Sequence, residues 1–144
     1  MKEKKQIALV AHDQRKSDLL NWVEYNIDVL SRHELYASGT TGRIIAENCS
    51  LDINRLKSGP LGGDQQLGAM IANEELDILI FFWDPMSAQP HDVDIKALLR
   101  MSVLYNIPTA CNRSTADFII SSTLFHEEYE PIVKDYSKYI KRDV

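Results

Sequence analysis

One segment limits the architecture of this chain more than any other. Asp77-Ile-Leu-Ile-Phe-Phe-Trp83 is apolar without interruption from Ile78 to Phe82. A strand that is apolar on both faces must be covered on both, as in a parallel sheet flanked by helices. Ile7-Ala-Leu-Val-Ala11 reads the same way. Glu34 to Ser38 is a further strand that runs into Gly39. Ile107 to Cys111 is another, with Pro108 at its entrance, where a missing N–H does no harm. Asp52 to Lys57 is a weaker strand.

Helical spacing fills the gaps between these strands. Leu19, Leu20, Val23, Ile27 and Leu30 recur at helical intervals, as do Ala97, Leu98, Met101 and Leu104. Helices are also expected over Thr41 to Asn48, over Gln65 to Glu75 with Leu67, Met70 and Ile71 inward, and over Thr115 to Ser121. A short strand near Pro131 to Lys134 and a helix near Tyr136 to Arg142 close the chain. Strands alternating with helices predict an α/β fold: a doubly wound, mostly parallel sheet with helices on both faces. The 144 residues suit one domain spanning 1–144. A chain of this size buries about two-thirds of its unfolded surface.

Composition removes several classes of function. Sixteen Lys and Arg against 21 Asp and Glu leave a net charge of −5, which argues against nucleic acid or an anionic membrane as partner. An anion would need a local site. Cys49 and Cys111 lie far apart with no CxxC, so neither a disulfide framework nor a zinc ribbon is indicated. The apolar run Ile7 to Ala11 is too short for a signal peptide or a membrane span. A cytoplasmic location is expected.

In parallel α/β sheets, ligands bind beyond the carboxyl ends of the strands. The polar residues there are His12-Asp13, Ser38-Gly39-Thr40-Thr41, Ser58-Gly59, Asp84 and Asn112. All six glycines fall between Gly39 and Gly68. Two glycine loops, Ser38-Gly-Thr-Thr-Gly42 and Ser58-Gly-Pro-Leu-Gly-Gly63, each lead toward a helix. Free N–H groups at a helix start, together with hydroxyls, make a cradle for phosphate. The plainer reading is a pair of tight turns with Ser or Thr caps. Neither loop is a GxxxxGK[ST] or GxGxxG motif. Lys16 can reach over the strand ends as a point charge, or simply be a solvated lysine.

Asp64 follows Gly62-Gly63. It is either a helix N-cap or a carboxylate placed to take a proton from a small substrate, which requires a dry site. Asp84 ends the strongest strand and either stiffens the next loop or orients a site group. His91 is either a loop residue, with Asp92 or Asp94 capping the next helix, or a group that polarises a substrate oxygen with Asp94 as a second acid–base group. No HxxxH, HExxH or calcium-loop spacing occurs, so no metal is expected. His33 and His126 carry no site signal, and no GxSxG or Cys/His pairing points to nucleophilic catalysis.

These residues fall into longer combinations: Ile7-Ala-Leu-Val-Ala-His-Asp13, Tyr36-Ala-Ser-Gly-Thr-Thr-Gly42, Ser58-Gly-Pro-Leu-Gly-Gly-Asp-Gln-Gln66, Ile80-Phe-Phe-Trp-Asp-Pro85 and Pro90-His-Asp92. Together they resemble the methylglyoxal synthase family over nearly the whole chain. The resemblance implies a cytoplasmic lyase that converts dihydroxyacetone phosphate to methylglyoxal and inorganic phosphate, with no metal or organic cofactor. It implies Asp64 as the base. It implies that His12, Lys16, Ser38, Gly39, Thr40, Thr41, Ser58, Gly59 and His91 contact the substrate, with Asp94 as a second carboxylate and Asp13 and Asp84 as supporting acids. It further implies a homohexamer inhibited by phosphate. In that assembly an arginine of the C-terminal helix reaches a neighbouring subunit's phosphate site, and Arg142 stands next to the corresponding place. A non-catalytic allosteric module, like the regulatory domain of carbamoyl phosphate synthetase, resembles the same fold and is the alternative. A phospho-receiver domain fits less well, because it needs paired acids where this chain has His12-Asp13.

Overall fold

The computed structural model describes residues 1–142; positions 143 and 144 of the expected domain lie outside the described residues. Five strands form one sheet in the order β3-β2-β1-β4-β5, and every pairing is parallel. They are β1 (Gln6–Ala11), β2 (Glu34–Ser38), β3 (Ile53–Leu56), β4 (Ile78–Phe82) and β5 (Thr109–Ala110). The helices are α1 (Lys16–Tyr25), α2 (Ile27–Leu30), α3 (Gly39–Cys49), α4 (Gly63–Ala72), α5 (Asp92–Leu104), α6 (Arg113–Ser121) and α7 (Ser137–Ile140). None of them is long and apolar enough to cross a membrane.

The period of two along each strand splits the core. Ile7, Leu9 and Ala11 of β1 and Ile78, Ile80 and Phe82 of β4 face one way, toward Leu19, Trp22 and Val23 of α1, Ile45 of α3 and Ile120 of α6. Ala8, Val10, Leu79 and Phe81 face the other way, toward Leu67 and Ile71 of α4 and Ile95 and Leu98 of α5. The expected doubly wound arrangement is therefore present. Every residue of β4 is buried, as its sequence requires.

The structure corrects several expected boundaries. The helix expected through Leu30 divides at Asn26, whose side-chain amide donates to the Trp22 carbonyl at 2.8 Å and competes with helix continuation. The helix expected at Thr41 begins at Gly39, so β2 enters α3 with no intervening loop. The strand expected over Ile107 to Cys111 is reduced to Thr109 and Ala110. Pro131 to Lys134 is no strand. Pro131 lacks an N–H, and the Ile132 carbonyl is taken by the Asn106 side-chain amide at 3.0 Å rather than by a ladder.

The reversal of strand order falls between β1 and β4, and the carboxyl ends of β1, β2 and β3 open beside it. Close packing holds the β3 end against α4. A methyl group on Gly63 would lie 2.0 Å from the Lys57 carbonyl oxygen. Gly63→Ala is therefore expected to destabilise the fold by about 1–3 kcal/mol. Urea unfolding measures this, and an unchanged midpoint would contradict the packing.

Candidate active site

A cavity of about 210 Å³ opens at the carboxyl ends of the strands. Its lining includes His12, Asp13 and Lys16 after β1, Ser38 and Thr40 at the β2–α3 junction, Ser58 and Gly59 after β3, Asp64 of α4 and His91 before α5. Its volume is below the roughly 300–1,000 Å³ of pockets that hold drug-sized ligands, so it suits a small metabolite.

One side of the cavity is built by the start of α3. Its first-turn N–H groups have no partner within the helix, and its N-terminus carries partial positive charge. Ser38 is the N-cap residue, yet its hydroxyl makes no capping bond. Ser58, the N-cap of the short turn Gly59–Leu61, makes none either. By contrast, Asn112 and Ser122, away from the cavity, both cap with their side chains. The Ser-cap reading therefore fails at the two glycine loops, whereas Asn112, expected only as a strand-end polar residue, caps α6. The buried Thr41 hydroxyl also lacks a hydrogen-bond partner. Lys16 Nζ lies at the mouth, 2.7 Å from Asp13 Oδ1. That ion pair holds the exposed Asp13 carboxyl below the usual carboxylate range.

Asp64 is not a helix cap. Gly62 is the N-cap of α4, with φ at +109°, and Asp64 sits inside the first turn. The residue is 3% exposed, and Asp64 Oδ2 has no hydrogen-bond partner. Burial pushes its pKa up, the nearby His91 opposes that shift, and Asp94 adds to it. His91 Nε2 lies 3.6 Å from Asp64 Oδ2. Gly59 packs so tightly on the pair that a methyl group there would come within 2.7 Å of His91 Nε2. His91 is itself the N-cap residue of α5 and makes no side-chain capping bond; its buried Nδ1 also lacks a partner. Neither Asp92 nor Asp94 caps that helix with its side chain, and the Asp92 carboxylate accepts from the Gln89 N–H at 3.1 Å.

His12 is oriented across the switch point. The Asp84 backbone N–H donates to His12 Nδ1 at 2.9 Å. Nδ1 is thus an acceptor, and the neutral ring carries its proton on Nε2, which faces the cavity without a partner. Burial lowers the His12 pKa, with His91 acting in the same direction. The ring also meets the Phe81 ring edge-on at 5.2 Å. The two expected roles of Asp84 both apply, through different atoms. Its N–H orients His12, while its carboxylate accepts from the Met86 N–H at 2.9 Å and stiffens the loop. That Met86 bond holds the Asp84 carboxyl below the usual range.

Gly39, Thr41, Asp84 and Asp94 are outside the lining, although the first two stand at the start of α3. Gln89, Pro60 and Phe81 line the cavity and were missed in the sequence. Gln89 lies between Pro85 and Pro90 in a segment with no periodicity; its position just before His91 was the one available signal. Arg142 is folded onto Tyr139, with its guanidinium 3.6 Å from the ring centre and Nη1 donating to the Tyr139 carbonyl at 2.7 Å. Among the described residues, no three His, Cys, Asp or Glu side chains gather in a way that could hold a metal ion.

Comparison with known proteins gives the family. Residues 18–111 match the family model described as an MGS-like domain. A methylglyoxal synthase of Leptospira interrogans is 58% identical over 139 residues, 96% of this chain and 94% of the relative. This chain belongs to the methylglyoxal synthase family. The methylglyoxal synthase of Clostridium acetobutylicum is 55% identical over 143 residues, covering 99% of each chain. The crystal structure of methylglyoxal synthase from Elizabethkingia anophelis superposes with a TM-score of 0.96 at 53% identity, over 100% of this chain and 95% of that one.

An Asp whose folded pKa is raised binds more protons folded than unfolded, so the fold loses stability as pH rises from 3.8 through the raised value. The cost is fully present above that window. Asp64→Asn is therefore expected to melt at a higher temperature than the parent at pH 7, by about 2–4 °C per kcal/mol relieved. The advantage should vanish below pH 3.8. A melting series across pH measures it, and an equal or lower melting temperature at pH 7 contradicts the assignment.

Proposed function

We propose that this chain converts dihydroxyacetone phosphate to methylglyoxal and inorganic phosphate, with Asp64 as the base that starts the reaction. The observation that carries the assignment is the buried Asp64 oxygen without a hydrogen-bond partner, beside His91 and in the same small cavity as the α3 cradle. A module that only bound anions would need the cradle and Lys16, but no buried, unpaired carboxylate.

The chemistry decides which proton leaves. Loss of a proton from the phosphate-bearing carbon would make the leaving group vinylic, with its C–O bond in the enediolate plane. Loss from the hydroxymethyl carbon makes that C–O bond allylic, where it can stand perpendicular to the plane. Asp64 therefore takes a hydroxymethyl proton, and the C–H electron pair becomes the C=C bond of an enediolate. A ring N–H of His91 or His12 donates to the oxygen that gains charge. The α3 N–H groups, the Ser38, Thr40, Thr41 and Ser58 hydroxyls and Lys16 hold the phosphate. The enediolate electrons then expel phosphate as the C–O bond breaks. The released enol takes up a proton at its methylene carbon to give methylglyoxal. Asp94 acts through its charge on Asp64, and Asp13 holds Lys16 at the mouth until phosphate replaces it.

Free phosphate fits the same cradle and competes with the substrate. The family resemblance assigns a homohexamer, and exposed Tyr25, Phe118, Ile132 and Ile140 supply apolar surface for subunit contact. The free thiols Cys49 and Cys111 suit a reducing cytoplasm.

The test is to incubate the protein with dihydroxyacetone phosphate and follow released phosphate and the dicarbonyl together. Equal yields are expected, with inhibition by added phosphate. Asp64→Asn should lose about 10³-fold or more in turnover while still binding phosphate. The acid limb of kcat/KM should fall above the ordinary carboxylate value of 3.8. A nearly active Asp64→Asn would remove the base assignment, and absence of product would remove the reaction.

A further inference from the structure

The cradle and the base come from different elements, and one of those elements is held on one side only. β3 is an edge strand paired to β2 alone, and its pairing ends at Leu56. Lys57 follows, and then Ser58 and Gly59, which line the cavity, with Gly59 against Asp64. A segment leaving an edge strand has no ladder partner to fix it laterally.

The exposed Gln66 side chain supplies one. Gln66 Oε1 accepts the Lys57 backbone N–H at 2.8 Å. Gln66 lies two positions after Asp64 on α4, and their side chains project to different sides of the helix. The turn is closed by the Leu61 N–H donating to the Ser58 carbonyl at 3.0 Å, and the N–H of Gly63, the first residue of α4, donates to the same carbonyl at 3.0 Å. Gly63 packing blocks approach of the two segments; the Gly63 N–H holds Ser58 to the start of α4, and the Gln66 bond, one turn further along the helix, holds Lys57 and so fixes the angle at which the segment leaves β3. Gly59 is then fixed against the pair, where a methyl group would stand 2.7 Å from His91 Nε2 and 3.3 Å from Asp64 Oδ2.

We propose that Gln66 is a positioning residue for the elimination: by accepting the Lys57 N–H it fixes Ser58 and Gly59 relative to the Asp64 carboxylate on the same helix. This inference rests on the assignment of Asp64 as base. A displacement of about 1 Å in a reacting pair costs up to ~100-fold in rate. Of the groups proposed to hold the phosphate, the Ser58 hydroxyl alone depends on Gln66; the α3 N–H groups, Lys16, Ser38, Thr40 and Thr41 do not.

The test compares Gln66→Met, which keeps the length and removes the acceptor, with Gln66→Glu, which keeps an acceptor oxygen. Steady-state kinetics on dihydroxyacetone phosphate are run well below the melting temperature, with Asp64→Asn alongside. Gln66→Met is expected to lose about tenfold or more in kcat, while KM and the phosphate inhibition constant, which lose only the Ser58 contact, change by about threefold or less. Gln66→Glu should stay within about threefold of the parent, since its added charge is exposed and screened. The deuterium isotope effect on kcat/KM, with the hydroxymethyl carbon labelled, should rise in Gln66→Met as proton removal becomes slower. If Gln66→Met does not fold, Gln66→Ala is held to the same criterion. A kcat within twofold of the parent, or an equal fall in the Glu variant, overturns the proposal. An active Asp64→Asn instead overturns the base assignment, whatever the Gln66 variants do.

Discussion

Everything at the functional end of this molecule follows from β4 being covered on both faces. Ile78 to Phe82 are all buried, with Leu79 and Phe81 under α4 and α5 and the alternate residues under α1 and α6. Such a strand has no solvated face for a polar side chain. Polar chemistry is pushed to the strand ends, and parallel pairing brings the carboxyl ends of neighbouring strands to one edge. The order reversal between β1 and β4 separates the helices there and leaves a crevice. The Asp84 N–H then crosses from the β4 end to His12 at the β1 end, so the sheet itself sets the orientation of a site imidazole.

The crevice is furnished at a cost to stability. Asp64 Oδ2, His91 Nδ1, His12 Nε2 and the Thr41 hydroxyl are buried and lack hydrogen-bond partners. Buried polar atoms without partners are rare in folded proteins, and each costs about 1–3 kcal/mol. They gather at one end of one sheet, where in the proposed function a polar substrate supplies the missing partners. The N-cap residues follow the same division. Asn112 and Ser122 use their side chains to finish helices, whereas Ser38 and Ser58 leave theirs free beside the cavity.

The division of labour also explains why two glycine loops serve one site. In the proposed reaction the start of α3 presents its N–H groups to the phosphate. The loop after β3 brings the chain so close to α4 that only glycine fits at position 63. In that proposed reaction the first loop supplies most of the phosphate hold, and the second adds Ser58 and sets the distance between the cavity wall and the carboxylate. A rigid distance matters because proton removal and phosphate departure act on atoms of the same small molecule.

The sequence alone determined the fold class, since continuous apolar runs alternating with helical spacing leave few alternatives to a covered parallel sheet. It also determined the strand-end residues, because a one-dimensional rule assigns polar groups to the ends of apolar runs, while Asp64 stood out as a glycine-flanked carboxylate before a helix and His91 as a histidine in the loop after Pro90. What it left open were the roles that depend on which atom faces which. Asp64 read equally as a cap and as a base, and only the position of Gly62 as the true N-cap decided against the cap. Asp84 acts through its backbone N–H, which no side-chain motif encodes. Gln89 enters the cavity from a segment without periodicity, and Pro131 to Lys134 lost its expected pairing to a side chain remote in sequence. Periodicity records which face of an element is buried, a local property. Hydrogen-bond partners and cavity walls come from residues far apart along the chain, and only tertiary packing brings them within reach of one another.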